Sequence, residues 1–214
     1  MIHKAHSDKI YDTAIIGGGV LGLWAARHAI KRGEKVVLIE KRKIGAGASG
    51  GFLGALMPHM PDNWNPKKQF QFEGLDTLET VVAELEEETG VSCGYRRCGR
   101  IMPITNEKLL GQIDRRIKGA EDNWNNKYNL SANSEFSSQI INPEIAKFGL
   151  QHDTLSARIN PRQYLASLEA YVRPRCDLLE GNAVEALDMS ATNGEITLSN
   201  GCLLYTSPSP RDRG

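Results

Sequence analysis

The sequence predicts an α/β fold organised around a parallel sheet, and three observations carry that prediction. A β-rich run, a helical pattern and a second β-rich run follow one another within residues 10–40. Glycines crowd the first strand-to-helix corner, in "IIGGGVLGL". Further strand-like segments, "DLLEGNAVEALDM" and "EITLSN", return late in the chain and are placed to rejoin the first sheet.

In chain order, "IYDTAII" (10–16) reads as one strand ending in glycines. Val20, Leu21, Leu23, Trp24, Ala26, Ala29 and Ile30 supply the apolar face of a helix that Gly33 stops. "KVVLIE" (35–40) is the second strand, buried on both sides. Together they form a βαβ unit whose crossover is expected to be right-handed. The next stretch, "KRKIGAGASGGFLGALMPHMPDNWNP", is too rich in Gly and Pro for a helix and too apolar for a solvated linker, so an ordered, packed loop is expected.

Phe70, Leu75, Leu78, Val81, Val82 and Leu85 recur at helical spacing over 66–89, with "EEE" on a solvated face and Gly90 as the stop. "CGYRRCGRIMPI" (93–104) has the alternation and glycines of a short hairpin, and "NEKLLGQIDRRIKGAEDNW" reads as a helix. Asn160 as cap and Pro161 at the first helical position open another helix, with Tyr164, Leu165, Leu168 and Val172 on one face. No internal repeat is present. The tail "CLLYTSPSPRDRG" changes character abruptly and resembles a translated sequencing-library adapter. Residues 202–214 are therefore expected to be non-native or disordered, on a chain truncated near Gly201.

The 214 residues carry 26 Lys plus Arg against 26 Asp plus Glu, with no long block of one sign. Neither a nucleic acid nor an anionic membrane is favoured as partner. No apolar run approaches the roughly 20 residues needed to cross a bilayer. The start "MIHKAHSDKI" lacks the apolar stretch of a secretory signal, so a cytoplasmic location is the default expectation. Cys93, Cys98, Cys176 and Cys202 form no CxxC pair, so no metal site or redox pair is expected, only reduced and mostly buried thiols.

The glycine corner has a specific chemistry. In GxGxxG, Gly17 permits the tight turn, Gly19 lets a pyrophosphate approach the backbone, and Gly22 lets helix and strand pack closely. The helix N-terminus adds free N–H groups and partial positive charge. Glu40 ends the second strand 18 residues beyond Gly22, where its carboxylate can accept bonds from ribose hydroxyls. The same charge repels a 2′-phosphate and disfavours NADP. The spacing alone leaves NAD and FAD both open.

After Glu40 the chain enters "GAGASGGFLGALMPH" rather than further strand–helix units. There, and in "DTAIIGGGVLGLWAARHAIKRGEKVVLIEK", "GYRRCGRIMPI" and "SARINPRQYLASLEAYV" with "LLEGNAVEALDM", it resembles the FAD-dependent oxidoreductases of the D-amino-acid oxidase, glycine oxidase and sarcosine oxidase superfamily. The resemblance implies a Rossmann-like FAD-binding domain (1–90 and 145–201) with an inserted α+β substrate-domain segment (91–144), incomplete at the C-terminus. It implies that Gly17, Gly19 and Gly22 bind pyrophosphate, that Glu40 and Lys41 meet the adenosine ribose, and that Ala48, Ser49 and Gly50 reach the phosphate and ribityl region. Val184 would offer its backbone to adenine.

The implied reaction is oxidation of the C–N bond of an amine or amino acid by hydride transfer to flavin. Phe52, Leu53, Leu56 and Met57 could pack near a flat ring. Arg96, Arg97 and Arg100 are the available cations for clamping a substrate carboxylate. Family substrate residues fall in the absent half, so no catalytic residue is carried over, and this chain alone is expected to bind FAD weakly without turnover. His59 is left without a catalytic role, and Trp64 and Trp124 are read as packing residues. An NAD-binding dehydrogenase and a noncatalytic flavin-binding subunit of a hetero-oligomer are the alternatives; the oligomeric state is open.

Overall fold

A computed structural model describes residues 6–134, 141–189 and 194–206. In chain order the elements are β1 (His6–Tyr11), β2 (Thr13–Ile16), α1 (Val20–Lys31), β3 (Val36–Glu40), a 3-10 turn (Ala48–Gly50), β4 (Ala55–Leu56), α2 (Pro66–Thr89), β5 (Arg96–Arg97) and β6 (Arg100–Pro103). There follow α3 (Glu107–Leu110), α4 (Ile113–Asn123), β7 (Leu130–Asn133), β8 (Leu150–Asp153), β9 (Ala157–Arg158), α5 (Pro161–Val172), β10 (Asp177–Glu180), β11 (Val184–Asp188), β12 (Gly194–Leu198) and β13 (Leu203–Thr206). The chain divides into two compact units. The first takes the chain up to Phe52, Leu85–Cys93, and the chain from Pro161 onward; the second takes Leu53–Glu84 and Gly94–Asn160.

The first unit is built on a parallel sheet of order β10-β3-β2. Its middle strand "VVLI" is fully buried, as expected of a parallel strand covered on both faces. Leu23, Ala26 and Ala29 are the buried face of α1; Leu165, Leu168 and Val172 are that of α5, and the two helices pack together. Arg27 is buried at this junction between the rings of Trp24 and Tyr171, 5.0 and 5.2 Å from their centroids, and pairs with Glu88 at 2.7 Å. Burial among those groups pushes the Tyr164 hydroxyl up to about 12.

A second sheet in this unit has the order β1-β13-β12-β11. The expected single strand over 10–16 is thus two strands in two sheets. The break is at Asp12, whose carboxylate accepts from Lys35 N (2.8 Å) while its own N–H and that of Thr13 both turn to Lys35 O. Of the late strands, only β10 rejoins the βαβ unit. Gly181, at φ +73°, turns the chain away, and β11 pairs antiparallel with β12 instead. The tail also departs from expectation in part. Leu203 and Leu204 are buried, and β13 pairs with both β1 and β12, because two adjacent apolar residues complete the sheet after a turn at Gly201 (φ +80°). Residues 207–214 lie outside the described residues.

The second unit holds two small antiparallel sheets, β6-β8-β7 and β4-β9-β5. The expected hairpin over 93–104 does not form: β5 pairs with β9 and β6 with β8. Gly99 causes the divergence. It sits at φ +68°, donates to Ser156 O, and has Asp153 O 2.5 Å from where a Cβ would stand. The long helix expected after β6 is interrupted at Gly111 into α3 and α4.

Helix α2 spans the expected residues, yet Phe70 is 80% exposed. Its buried face is Phe72, Leu75, Val82 and Leu85. Trp124 is fully buried beside Phe72, Leu75, Tyr128 and Leu155, with Trp64 packed against the cluster, so both tryptophans serve packing. Residues 150–159 belong to this unit through β8 and β9, and Leu53–Glu84 belong to it as well, so this division differs from the expected bounds 1–90 and 145–201 at both places. All four cysteines are free and only Cys93 is fully buried; Cys98 is exposed. Among the described residues no helix is long and apolar enough to cross a membrane.

Candidate functional site

The four glycines of the corner answer to different constraints. Gly17 has φ +108°, a conformation L side chains rarely adopt, and donates to Ile39 O at 2.8 Å. A Cβ on Gly22 would stand 1.9 Å from Gly17 O, so α1 can lie against the turn only if that residue has no side chain. A Cβ on Gly18 would meet Ile44 Cδ1 at 2.5 Å, a constraint the GxGxxG pattern does not contain. Gly19 is different: it caps α1 in extended backbone (φ −85°, ψ −179°), and a Cβ there would meet only Ser49 Oγ at 3.2 Å. Only that one hydroxyl would have to give way, and no backbone atom stands in its path. Open space at the positive end of a helix is what a pyrophosphate requires.

Glu40 is fixed at this corner by two backbone donors, Gly18 N to Oε2 (2.7 Å) and Arg42 N to Oε1 (2.8 Å). Parallel pairing of β10 with β3 sets Glu180 opposite Glu40, and Asn182 N then donates to Glu40 O. A cavity of 280 Å³ results. It brings together Gly17, Glu40, Lys41 and Val184 from the predicted set, along with Asn182 and Ala183. The last two were not predicted. The only sequence signal for them is adjacency to Val184, since their approach to Glu40 depends on the sheet pairing.

Glu180 also steadies the loop after β3, accepting from Ile44 N at 2.8 Å and from Arg173. The Arg173 guanidinium and the Ile44 N–H hold its carboxyl below the usual carboxylate range. Gly45 N donates to Gly18 O, tying this loop to the glycine corner.

Ala48, Ser49 and Gly50 form the 3-10 turn, beside Gly19 rather than on the 280 Å³ cavity. Ser49 Oγ accepts from Val20 N at 3.1 Å, the service a side-chain cap would give and Gly19 cannot. Gly50 O accepts from Arg162 Nε (3.2 Å), and the Arg162 guanidinium stacks 3.9 Å above the Phe52 ring. Phe52 and Leu53 are more than four-fifths exposed, so the expected packing of this apolar loop does not extend to them within this chain.

Of the candidate clamp arginines, Arg97 is committed to structure. It pairs with Glu79 at 3.0 Å and donates to the carbonyls of Leu155 and Leu75. Arg100 pairs with the fully buried Asp153 at 2.9 Å, and Arg96 is exposed. His59 is exposed, with its backbone N–H bonded to Gln71. Among the described residues no cluster of His, Cys, Asp and Glu is arranged to hold a metal.

Residues 12–202 match the family described as "DAO: FAD dependent oxidoreductase". Glycine oxidase of Geobacillus kaustophilus is 33% identical over 108 residues, covering 49% of this chain and 28% of the relative. The bifunctional tRNA 5-methylaminomethyl-2-thiouridine biosynthesis protein of Shewanella denitrificans is 30% identical over 149 residues, covering 69% of this chain and 19% of the relative. The crystal structure of the G. kaustophilus glycine oxidase superposes with a TM-score of 0.78 at 20% identity, over 92% of this chain and 53% of that one. L-amino acid deaminase of Proteus myxofaciens superposes with a TM-score of 0.75 at 19% identity, over 95% and 45%. The chain therefore spans about half or less of the proteins it matches.

Proposed function

Because the chain belongs to this family of FAD-dependent oxidoreductases, we propose that its first unit is the nucleotide-binding part of an enzyme oxidising the C–N bond of a small amine or amino acid. The observation that carries the reading is the pairing of an open Gly19 at the α1 N-terminus with the cavity shared by Gly17, Glu40, Lys41 and Val184. The residues fit the cofactor. Gly19 leaves room for a pyrophosphate beside N–H groups at a helix end, and Gly17 and Gly22 permit the turn and the close packing that set that end there. Ser49, already an acceptor for Val20 N, has its own hydroxyl proton to give a phosphate oxygen. Glu40 is held as an acceptor by two N–H groups and can receive ribose hydroxyls while repelling a 2′-phosphate. Lys41 and the Val184 backbone line the side suited to the adenosine.

When bound, FAD supplies the ring that takes up the hydride equivalent from the substrate carbon. Arg162 holds Phe52 under its guanidinium, next to the glycine-dense turn, and so keeps an apolar face available there. The test is fluorescence titration of the purified chain with FAD and with NAD. FAD is expected to bind with preference over NAD, and Gly19→Val to lose that binding by more than about a hundredfold with a thermal melt lowered less than in Gly22→Ala, since its backbone is unstrained and its one close neighbour is the Ser49 hydroxyl. Preference for NAD, or full FAD affinity in Gly19→Val, would sink the assignment.

A further inference from the structure

The GxGxxG pattern gives Gly18 no reason to be glycine, and a residue on the next loop supplies one. A Cβ on Gly18 would stand 2.5 Å from Ile44 Cδ1 and 3.1 Å from Glu40 Cβ and Cγ, so the Ile44 side chain lies directly over it. The backbone around this contact is tied as well. Gly45 N donates to Gly18 O at 2.9 Å, and Gly18 N donates to Glu40 Oε2 at 2.7 Å. Ile44 is itself held from a distant strand, since its N–H donates to Glu180 Oε1 of β10 at 2.8 Å. We propose, on the reading of the glycine corner as a nucleotide site, that Glu180 is a positioning residue for that site. It touches no ligand, and it holds Ile44 over Gly18 so that Glu40 keeps the place from which it receives a ribose.

Glu40 and Glu180 are register partners on parallel strands, two carboxylates side by side, and their surroundings divide their work. Glu40 lines the 280 Å³ cavity and accepts from the N–H groups of Gly18 and Arg42, with lone pairs to spare on both oxygens. Glu180 lies off that cavity, one oxygen on Ile44 N and the other on Arg173 Nη2 at 2.8 Å. Arg173 is half-exposed and also pairs with Glu169, so it steadies Glu180 without deciding where the loop sits. Gly181 N, donating to Arg42 O at 2.9 Å, pins the start of the same loop separately. Loss of Glu180 therefore frees residues 43–45 and leaves Arg42 in place.

Amide hydrogen exchange of the nucleotide-free chain, read by NMR, and calorimetric titration with FAD and with ADP test the proposal. Glu180→Ala is expected to speed exchange at Ile44 and Gly45 while Gly181 stays protected, and to weaken FAD and ADP alike by about tenfold. Glu180→Gln keeps an oxygen that accepts from Ile44 N and is expected to recover most of that affinity. Asp177→Asn, on the same strand but bonded to Lys9 and Tyr11, is the control and is expected to lower stability with FAD affinity unmoved. FAD binding or Gly45 exchange that Glu180→Ala leaves unchanged overturns the proposal alone, as does an equal loss of affinity in Asp177→Asn. Failure of the wild-type chain to bind FAD would instead remove the nucleotide reading itself, and the role of Glu180 with it.

Discussion

The glycine corner of the first unit and a 380 Å³ cavity of the second, lined by Arg100 and Arg116, are built from opposite materials. At the corner the donors are backbone N–H groups at a helix end, and the sequence contributes mainly by withholding side chains at residues 17, 18, 19 and 22. In the cavity the donors are long side chains from β6 and α4, each paired with neighbours distant in the chain: Arg100 with Asp153, and Arg116 with Gln151, Gln112 and Asp62. A backbone site needs close approach and tolerates no added atom. A side-chain cluster needs partners, and fails when one of them is removed.

Substitutions in each region separate the residues on which folding depends most from those on which it depends less. Arg100→Met is expected to have the largest effect. It strands the fully buried Asp153 without its cation and should destabilise the second unit by about 3–5 kcal/mol, read as a lowered urea midpoint, whereas Arg116→Met, which leaves the buried Gln151 amide oxygen without its donor, should cost about 1–3 kcal/mol. Gly22→Ala follows at about 1–3 kcal/mol or more, because the new methyl collides with a backbone carbonyl that cannot swing aside. It should lose FAD binding and stability together, where Gly19→Val loses binding with the smaller cost in stability. Equal stabilities for Gly22→Ala and wild type would remove the steric basis of the comparison.

Acid sensitivity should blur the contrast, since both units use the same device. Asp177 is held below the usual carboxylate range by the Tyr11 hydroxyl and then Lys9. Asp76 is held there by Lys127 and, after it, the Tyr128 hydroxyl, against the opposing cost of burial. A carboxyl with a depressed folded value adds stability above its unfolded value, near about pH 4, and that stability is lost as pH falls through the folded value. Urea midpoints should fall below about pH 4, and Asp177→Asn should remove part of the slope. A profile flat from neutral to strongly acid pH would contradict both pairings.

The smallest effect is kinetic. Burial and the neighbouring Asp177 push the Cys176 thiol up to about 11, and burial also raises Cys93, whereas Cys98 is exposed. Iodoacetamide at mildly alkaline pH should label Cys98 first, as read by mass spectrometry of timed digests. Faster labelling of Cys176 would contradict its protected placement.

The order of elements through α1, β3, α2 and α5 was legible because each rests on a local period and a local stop signal. The glycine corner with Glu40 beside it was legible for a related reason: it lies in a strand–turn–helix–strand run contiguous in the chain. What was not legible depended on contacts between distant segments. The split of the first strand at Asp12 required Lys35, and the failed hairpin over 93–104 required Ser156 and Asp153 as competitors for Gly99. Phe70 and Phe72 are alike in sequence, and only packing decided which one is buried.

By itself, the sequence determined the βαβ unit, the glycine corner and the acid that closes it, since backbone conformation and helix-end charge are properties of short contiguous stretches. Tertiary structure decided that Asn182 and Ala183 stand beside Glu40. It also decided that residues 150–159 serve the second unit, and that Arg100 and Arg116 share one cavity. The physical reason is that a guanidinium group finds its partners among whichever carboxylates and amides the folded chain brings within hydrogen-bond reach, and sequence spacing carries no record of that distance.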